Sequence, residues 1–205
     1  MEAPVLIGGG GHARAIVAMA PDESKPSRFV DPCDNMAGLE WLGNDDDFLG
    51  NDRFALLPVI ISLVTDQSYS MEMRRKIIEK YSGRKFATIV ASDAVVETDS
   101  VLGEGCAVFH KAVVNTGAVI GRHSVVNTGA IVEHDCHIGD NVFLGPGAIV
   151  CGEVSIGNNC YVGAGAVLKN GITIPDNTII GMGSVVTKTL RVAGFYFGNR
   201  AKRIK

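Results

Sequence analysis

A branched aliphatic side chain recurs at every sixth position from Val90 to Val186, without a break in the frame. An α-helix turns by about 100° per residue, so residues six apart scatter over its surface and cannot form one buried stripe. In a β-strand, every second side chain points to the same side. Only one in three of these same-side positions is large here, so the chain must bend within each hexad. The repeat therefore predicts a chain that turns a corner every six residues. The aliphatic positions are Val90, Val96, Leu102, Val108, Val114, Ile120, Val126, Val132, Ile138, Leu144, Val150, Ile156, Val162, Leu168, Ile174, Ile180 and Val186.

Small residues occupy most of the positions four after each aliphatic, and Val142, Val154 and Ile172 are the exceptions. Glycine often follows the aliphatic directly, as Gly103 and Gly121 do. A tightly coiled chain needs small groups beside its corners, where a larger side chain would crowd the bend. The two spacings together predict a parallel β-helix. The spacing alone does not determine the hand of the coil.

Composition excludes several classes of function. The chain has 205 residues, 46% of them hydrophobic and 20% charged, which leaves room for one domain and a smaller companion. A net charge of −3 and the lack of a basic run disfavour nucleic-acid binding. The opening residues carry no charged leader region, and no apolar run approaches the roughly 18 residues of a membrane span. We therefore expect a cytoplasmic protein with no nucleic-acid or membrane partner.

The five cysteines have irregular spacing, unlike a disulfide framework or a zinc site, and we expect no metal. Cys106, Cys136 and Cys160 occupy the small-residue position of the repeat. With three hexads per coil, Cys106 and Cys160 would lie about 14 Å apart at about 4.8 Å per stacked strand, beyond disulfide reach. The prediction is that they are small buried packing residues. Nucleophilic catalysis by cysteine is the alternative.

The chain begins with a predicted buried strand at residues 4–7, which runs into four glycines at residues 8–11 and then into a helix from about His12 to Met19. Glycines 8 and 10 with Ala13 satisfy the fingerprint of dinucleotide-binding loops, and Asp31 ends a second predicted strand at residues 28–30. A glycine loop that feeds a helix N-terminus presents backbone N–H groups to a phosphate. The alternative is a tight strand-to-helix turn without a ligand.

A third strand is predicted in the apolar run 56–64, and a helix is predicted at residues 70–81, closed by Gly83. The three aspartates at 45–47 indicate a solvated turn or a helix start, with metal binding as the weaker alternative. Strand, helix, strand, helix gives an α/β half-domain at residues 1–86, too short for both halves of a dinucleotide fold. This length weakens a dehydrogenase interpretation. The β-helix domain with a C-terminal tail then occupies residues 87–205.

These features resemble the hexapeptide-repeat acyltransferases, in particular the bacterial sialic acid O-acetyltransferases and UDP-N-acetylbacillosamine N-acetyltransferases. The resemblance rests on the hexads, on Gly-Gly-Gly-His-Ala at residues 9–13, on Asp31, on Asn-Thr at 127–128 and on Glu-His-Asp-Cys at 133–136 with Ile-Gly at 138–139. It implies a Rossmann-like N-terminal half-domain that holds a nucleotide-sugar, followed by a left-handed, triangular β-helix. It also implies a homotrimer with acetyl-CoA as co-substrate between neighbouring subunits.

The same resemblance assigns roles to individual residues. His134 is the implied general base, Asp135 is the carboxylate that orients it, and Gly152 is the residue whose backbone N–H meets the thioester carbonyl. Arg200 and Lys202 in the basic C-terminal cluster are candidates for the phosphates of CoA, the alternative being a disordered, solubilising tail. The implied substrate-binding residues are Gly9, Gly10, Gly11, His12, Asp31 and Asn127.

Three positions depart from the family pattern. Phe143 stands where relatives often carry a second histidine, so a proton relay or an acetyl contact through that histidine is absent. Val-Thr-Asp at 64–66 replaces the usual Gly-Asn-Asn turn that contacts the sugar-nucleotide. Gly-Asn-Arg-Ala-Lys at 198–202 replaces Gly-x-Pro-Ala-Lys, and the missing proline loosens the C-terminal cap.

The remaining histidines have less specific interpretations. His137 is expected to point into solvent or a subunit interface, with a direct catalytic role as the alternative. His110 and His123 are expected on the surface. His12 begins a helix, where a substrate contact and a capping role are both open.

The sequence therefore predicts an enzyme that moves acetyl from acetyl-CoA to the amino group of a UDP-linked deoxy-amino sugar. The alternatives are O-acetylation of sialic acid and a non-catalytic β-helix that binds a nucleotide-sugar. The cluster at 133–135 argues against the non-catalytic alternative, because a structural coil does not need a flanked histidine at an exposed corner. A homotrimer is also expected, since the flat faces carry apolar residues that the coil's own axis cannot bury. These residues are Val95, Val113, Val119, Val125 and Ile131.

Overall fold

A computed structural model describes residues 2–63 and 70–204. The substituted turn at residues 64–66 lies outside the described residues. The N-terminal part is a four-stranded parallel sheet in the order β3-β2-β1-β4, so that β1 lies between β2 and β4. Its strands are β1 Val5–Ile7, β2 Arg28–Val30, β3 Glu40–Trp41 and β4 Val59–Ile61. Its helices are α1 Gly11–Met19, α2 Asp45–Leu49 and α3 Ser70–Lys80, with 3-10 turns at Asp22–Ser24 and Asp52–Phe54.

Each strand and helix predicted in this part is present, namely the strands at 4–7, 28–30 and 56–64 and the helices at 12–19 and 70–81. The aspartates at 45–47 start helix α2, where Asn44 accepts hydrogen bonds from the backbone N–H groups of Asp46 and Asp47 and the Asp47 carboxylate caps the Asn44 N–H in return. This reciprocal arrangement is a capping box, so the acidic run is a helix start. Strand β3 was not predicted, because two exposed residues at a sheet edge carry no hydrophobic pattern.

The hexads form seventeen two-residue strands, β5 to β21, wound into a left-handed parallel β-helix of about six turns with three flat faces. The covered face contains β5 Ile89–Val90, β8 Ala107–Val108, β11 Val125–Val126, β14 Phe143–Leu144, β17 Tyr161–Val162 and β20 Ile179–Ile180. The aliphatic face contains β6 Val95–Val96, β9 Val113–Val114, β12 Ile131–Val132, β15 Ile149–Val150, β18 Val167–Leu168 and β21 Val185–Val186. The open face contains β7 Val101–Leu102, β10 Val119–Ile120, β13 His137–Ile138, β16 Ser155–Ile156 and β19 Thr173–Ile174.

The interior of the β-helix is filled by the second residue of each strand and by the small residue before the next strand, such as Val126 and Ala130, both fully buried. Cys106, Cys136 and Cys160 are buried free thiols in this interior, which confirms them as packing residues. Burial raises the pKa of the Cys106 thiol to about 11. A thiol with that pKa is not a nucleophile at neutral pH.

The N-terminal sheet and its helices pack on the covered face. Ile16 and Met19 of α1 share a buried cluster with Phe109, Phe143 and Val125 of the β-helix. The expectation that Val125 belongs to a free apolar face is therefore wrong, because the N-terminal part already buries it to 1% exposure.

Arg74 of α3 fastens the N-terminal part to the edge between the open and covered faces. Its Nη1 donates to the backbone oxygen of His123 at 2.6 Å and to Oδ1 of Asn141 at 2.5 Å. Asn141 returns a hydrogen bond from Nδ2 to the backbone oxygen of Met71, also on α3. Arg74 is fully buried, and desolvation lowers its pKa to about 10. It stays charged at neutral pH.

The C-terminal segment continues the covered face. Strand β22 Phe195–Phe197 runs parallel to β20, and β23 Lys202–Arg203 returns antiparallel to β22. The alternative of a disordered tail is wrong for the described residues, which end at Ile204. In the described part of the chain, no helix is long and apolar enough to cross a membrane.

Candidate active site

The edge between the aliphatic and open faces carries the predicted base, and we call it the His134 edge. Each coil contributes one corner to it, directly after a strand of the aliphatic face. Because β12, β15 and β18 are stacked in register, residues 133–135, 151–153 and 169–171 lie one above another. The corner residues of the edge are 97–99, 115–117, 133–135, 151–153, 169–171 and 187–189.

His134 is held by the residue that follows it. Its Nδ1 lies 2.8 Å from Oδ2 of Asp135, and the imidazole is about half exposed, at 49%. A carboxylate only accepts hydrogen bonds, so Nδ1 carries the proton and Nε2 is left with a free lone pair. Asp135 has a φ of 56°, in the left-handed region that aspartate and asparagine tolerate better than most residues. The sharp corner thus turns the carboxylate back onto the ring.

The carboxylates around His134 favour its protonated form. The hydrogen bond to Asp135 is the main cause that raises the pKa of His134 above its usual 6.5, and the charges of Asp135, Glu153 and Glu133 act in the same direction. Glu133 is itself held by a hydrogen bond from Nδ2 of Asn115 at 3.0 Å. The corner therefore stabilises positive charge, whether on an imidazolium or on a ligand.

Gly152 lies directly against the free nitrogen of His134. A Cβ at this position would lie 2.5 Å from His134 Nε2, so the site requires glycine. Among the described residues, the N–H of Gly152 donates no hydrogen bond, although its carbonyl accepts one from Gly171. The structure thus brings together a proton acceptor and a free backbone donor on neighbouring coils, as the sequence predicted for His134, Asp135 and Gly152.

The glycine loop lies in the N-terminal part, between β1 and α1. Gly8 has a φ of 108° and the N–H of Gly9 donates to Oδ2 of Asp31 at 2.8 Å. The other oxygen of Asp31 accepts from the N–H of Cys33 and from Nδ2 of Asn35. Asp31, which is partly buried, therefore shapes the loop through these hydrogen bonds. Helix α1 starts after Gly10 without a side-chain cap, so its first N–H groups have no partner within the helix.

His12 neither caps helix α1 nor lies in solvent. Its ring packs 5.2 Å from Phe109 and 6.1 Å from Phe143, measured between ring centroids. Burial, and secondarily the charge of Arg74, lowers the pKa of His12 to about 4, so the imidazole is neutral at pH 7. Its buried Nε2 has no hydrogen-bond partner among the described residues. The capping role considered from sequence is wrong, and a substrate contact stays a prediction.

Asn127, Arg200 and Lys202 do not lie on the His134 edge. Asn127 follows β11 at the edge between the covered and aliphatic faces, where its Oδ1 accepts from the N–H of Thr128 at 2.7 Å. Arg200 comes after Asn199, which bridges to Val185 of the last coil, and Lys202 starts β23. Asn127 is separated from His134 of the same chain by the width of the aliphatic face, and Arg200 and Lys202 lie beside the last coil.

The other histidines differ in their surroundings. His123 is buried, at 5% exposure, against Phe86 at 4.4 Å between centroids, so its predicted surface position is wrong. Burial lowers its pKa to about 4, with Arg74 and Arg122 as further causes. His110 is partly exposed and lies 2.6 Å from Asp93, and His137 is exposed on the open face. His123 lies at a corner that α3 covers, and the hexad pattern does not show which corners are covered.

No group of three or more metal-ligating side chains occurs in residues 2–63 and 70–204. A cavity of about 410 Å³ lies behind the N-terminal sheet and is lined by residues such as Pro4, Leu56 and Phe86. It is remote from both the glycine loop and His134. A smaller cavity, of about 200 Å³, is lined by Gly8 and Asp31 of the glycine loop region.

Comparison with protein families gives two matches within the β-helix. The family described as bacterial transferase hexapeptide (six repeats) matches residues 117–152 and 135–170. The hexapeptide repeat of succinyl-transferase matches residues 153–188. A comparison with the curated proteins finds no match.

Among solved structures, this chain is similar to perosamine N-acetyltransferase from Caulobacter crescentus, with 30% sequence identity and a TM-score of 0.90. That structure is of a histidine-to-asparagine variant in complex with CoA and GDP-perosamine. The match covers 100% of this chain and 98% of that chain. The acetyltransferase domain of PglB from Neisseria gonorrhoeae is 26% identical with a TM-score of 0.86 and full coverage of both chains, and a second structure of it contains acetyl coenzyme A. WeeI from Acinetobacter baumannii, 24% identical with a TM-score of 0.81, shares the fold over both full lengths.

Proposed function

Because the chain belongs to the hexapeptide-repeat sugar acyltransferase family, we propose that it transfers acetyl from acetyl-CoA to the amino group of a nucleotide-linked deoxy-amino sugar. The observation that carries this proposal is the pairing of His134 and Gly152. A free imidazole nitrogen and a free backbone N–H lie next to each other on neighbouring coils, and the imidazole is about half exposed.

The proposed chemistry uses both groups in one step. The amine nitrogen attacks the thioester carbonyl, a C–N bond forms, and the C–S bond then breaks to release the thiolate of CoA. His134 Nε2 takes the proton that the amine must lose, and Asp135 stabilises the imidazolium. The N–H of Gly152 donates to the oxyanion of the tetrahedral intermediate. The proton on His134 can then pass to the departing thiolate, which returns the base to its neutral form.

Charge favours an amine acceptor over sialic acid. Glu133, Asp135 and Glu153 surround His134, and the corner residues 97–99, 115–117, 133–135 and 151–153 include no lysine or arginine. A fraction of the amino-sugar molecules carries a protonated amine, which these carboxylates attract. Sialic acid carries a carboxylate, which they repel. We therefore place N-acetylation ahead of O-acetylation of sialic acid.

The acceptor's nucleotide is proposed to bind at the glycine loop. The free N–H groups at the start of α1 suit a diphosphate, and Gly9, Gly10, Gly11, His12, Asp31 and Asn127 are the proposed substrate-binding residues. The sequence resemblance implies a UDP-linked sugar. The Caulobacter enzyme is in complex with GDP-perosamine, so GDP-linked amino sugars are the alternative.

The proposed site requires a second copy of the chain. The N-terminal part packs on the covered face, and the His134 edge is the edge of the triangle opposite that face. A nucleotide-sugar held at the glycine loop of one chain therefore faces away from that chain's own His134. In a homotrimer, a neighbouring chain supplies the base, and Arg200 and Lys202 of one copy can approach CoA bound on the next.

The test is thiol release from acetyl-CoA in the presence of a panel of acceptors. UDP- and GDP-linked amino sugars, the matching sugars with a hydroxyl in place of the amine, and free sialic acid are compared at equal concentration. We expect turnover with an amino sugar and none with its hydroxyl counterpart. Turnover with sialic acid alone contradicts the proposal in favour of O-acetylation, and turnover with no acceptor favours a non-catalytic binding protein.

A further inference from the structure

The covered face carries two aromatic rings where the N-terminal part stops covering it. The outward residues of four successive coils on this face stack one above another, because their strands pair in register. The first three are buried to 5% exposure or less, whereas the fourth is only partly buried. The boundary of the N-terminal part therefore lies at the third and fourth of these coils. The four residues are Ala107, Val125, Phe143 and Tyr161.

Phe143 and Tyr161 form a stacked pair at this boundary, and we call them the aromatic pair. Their ring centroids lie 5.0 Å apart, with 11° between the ring planes. Phe143 also packs edge-on against His12, at 6.1 Å between centroids. His12 is the second residue of α1 and follows the glycine loop directly. The aromatic pair therefore lies next to the loop that is proposed to bind the diphosphate.

His12 indicates that a polar ligand reaches this boundary. Its Nε2 is buried and has no hydrogen-bond partner within residues 2–63 and 70–204. A buried polar atom without a partner is costly, and native structures pair most such atoms. A hydroxyl group of a sugar that extends from the glycine loop would supply the missing donor. A sugar bound in this way has the aromatic pair beside it, because Phe143 packs against the same imidazole.

We propose that the aromatic pair contacts the methyl group of a 6-deoxy acceptor sugar and selects it over a hydroxymethyl group, an inference that rests on the proposed function. Phe143 stands where relatives often carry a histidine, so the family pattern does not include this contact. Aromatic rings bury a methyl group favourably. They remove water from a hydroxyl group without giving it a hydrogen bond of similar strength. The aromatic pair is therefore a specificity-determining surface.

The division of the site between two copies of the chain keeps this selection apart from the chemistry. The aromatic pair lies on the covered face, and the His134 edge lies opposite that face. In the proposed trimer, one copy therefore holds the sugar between its glycine loop and its aromatic pair, and the neighbouring copy supplies the base. Changes in the aromatic pair should alter the choice between acceptors without removing the base.

The experiment measures kcat/KM for two nucleotide-linked amino sugars that differ only in a methyl or a hydroxymethyl group. We expect the wild type to prefer the methyl acceptor by roughly 10- to 100-fold, the discrimination that an apolar contact achieves against an added hydroxyl. Phe143→His, whose ring can hydrogen-bond to the hydroxyl, and Tyr161→Ala, which removes one ring, should both lower this preference toward unity. The preference is a ratio measured on one preparation, so a loss of folded protein does not change it.

Two control variants separate the ring contact from other effects. Tyr161→Phe keeps the ring and should keep the wild-type preference. Phe54→Ala removes one ring of another stacked pair, with Phe48 at 5.4 Å in the N-terminal part, and should also keep it. The inference is overturned if the wild type uses both acceptors equally, if Tyr161→Phe loses the preference as Tyr161→Ala does, or if Phe54→Ala loses it too. Turnover with neither amino sugar overturns the proposed function itself, and the inference with it.

Discussion

At the scale of single residues, the account depends on how Asp135 controls His134. The hydrogen bond from Nδ1 to Asp135 raises the pKa of His134 above 6.5 and fixes the proton on Nδ1. A general base must be neutral, so kcat should rise as pH increases through this raised pKa. The carboxylate thus makes the base stronger but shifts its working range to higher pH.

Asp135→Asn should move the acidic limb of the pH profile of kcat down toward pH 6.5, because the main cause of the raised pKa is removed. The maximal kcat should also fall, since an amide no longer selects the correct tautomer. Asp99→Asn is the control, because this carboxylate lies two coils away and binds Thr116. An unchanged limb, or a limb that moves to higher pH, contradicts the role given to Asp135.

Gly152→Ala should lower kcat by roughly 10² to 10⁴-fold, the usual contribution of a positioned general base, because the variant keeps the backbone N–H but displaces the imidazole. The added Cβ would lie 2.5 Å from His134 Nε2, so the ring must move away from the thioester. Gly83→Ala is the control, since a Cβ there meets no atom within 4 Å. Steady-state kinetics and thermal melting of both variants separate the chemical effect from a loss of stability. Equal activity of the two variants would falsify the assignment of Gly152.

At the scale of elements, the hexads predicted the β-helix and the position of His134 at a corner. They could do so because each coil repeats the same local requirement, an aliphatic side chain in the interior and a small residue beside the corner. The pattern could not show which face the N-terminal part covers. The burial of Val125 and His123 depends on contacts with α1 and α3, and the hydrogen bond from Arg74 to His123 joins residues 49 positions apart. Likewise, the sequence predicted a set of site residues but could not show that they are divided between the β-helix and the N-terminal part.

Arg74→Ala should reduce the free energy of unfolding by about 2–4 kcal/mol, because the backbone oxygen of His123 and Oδ1 of Asn141 lose their buried donor and a cavity is left. Arg75→Ala is a matched control on the same helix. Its exposed i,i+4 pair with Glu79 should be worth less than about 0.5 kcal/mol. Urea denaturation at one fixed protein concentration measures both. Similar losses in the two variants would show that Arg74 does not fasten α3 to the β-helix.

At the scale of the whole molecule, the described part of the N-terminal region leaves the aliphatic face uncovered, and only the C-terminal segment touches its last strand, through Asn199 and Val185. The outward positions of this face are all branched aliphatics. The predicted trimer should use this face, together with the His134 edge beside it. Val95, Val113 and Ile131 from the sequence prediction belong to it, but Val119 lies on the open face instead. The outward residues are Val95, Val113, Ile131, Ile149, Val167 and Val185.

Ile149→Arg should convert the trimer to monomers at micromolar concentration, because a guanidinium would be buried in an apolar interface without a partner. Val101→Arg is the control, on the open face, where the wild-type side chain is 55% exposed. Sedimentation velocity measures both variants and the wild type. A monomeric wild type, or an Ile149→Arg variant that stays trimeric, contradicts the use of the aliphatic face.

The most direct test of the central claim is the activity of His134→Ala with the amino-sugar acceptor that the wild type uses. We predict that kcat falls by roughly 10² to 10⁴-fold, the contribution of a positioned general base. The oligomeric state, the melting temperature and the affinity for acetyl-CoA should stay close to those of the wild type, because the imidazole is half exposed and, within residues 2–63 and 70–204, is hydrogen-bonded only to Asp135. A variant that keeps more than about a tenth of the wild-type kcat at pH 7.5, far above that range, would show that His134 is not the base.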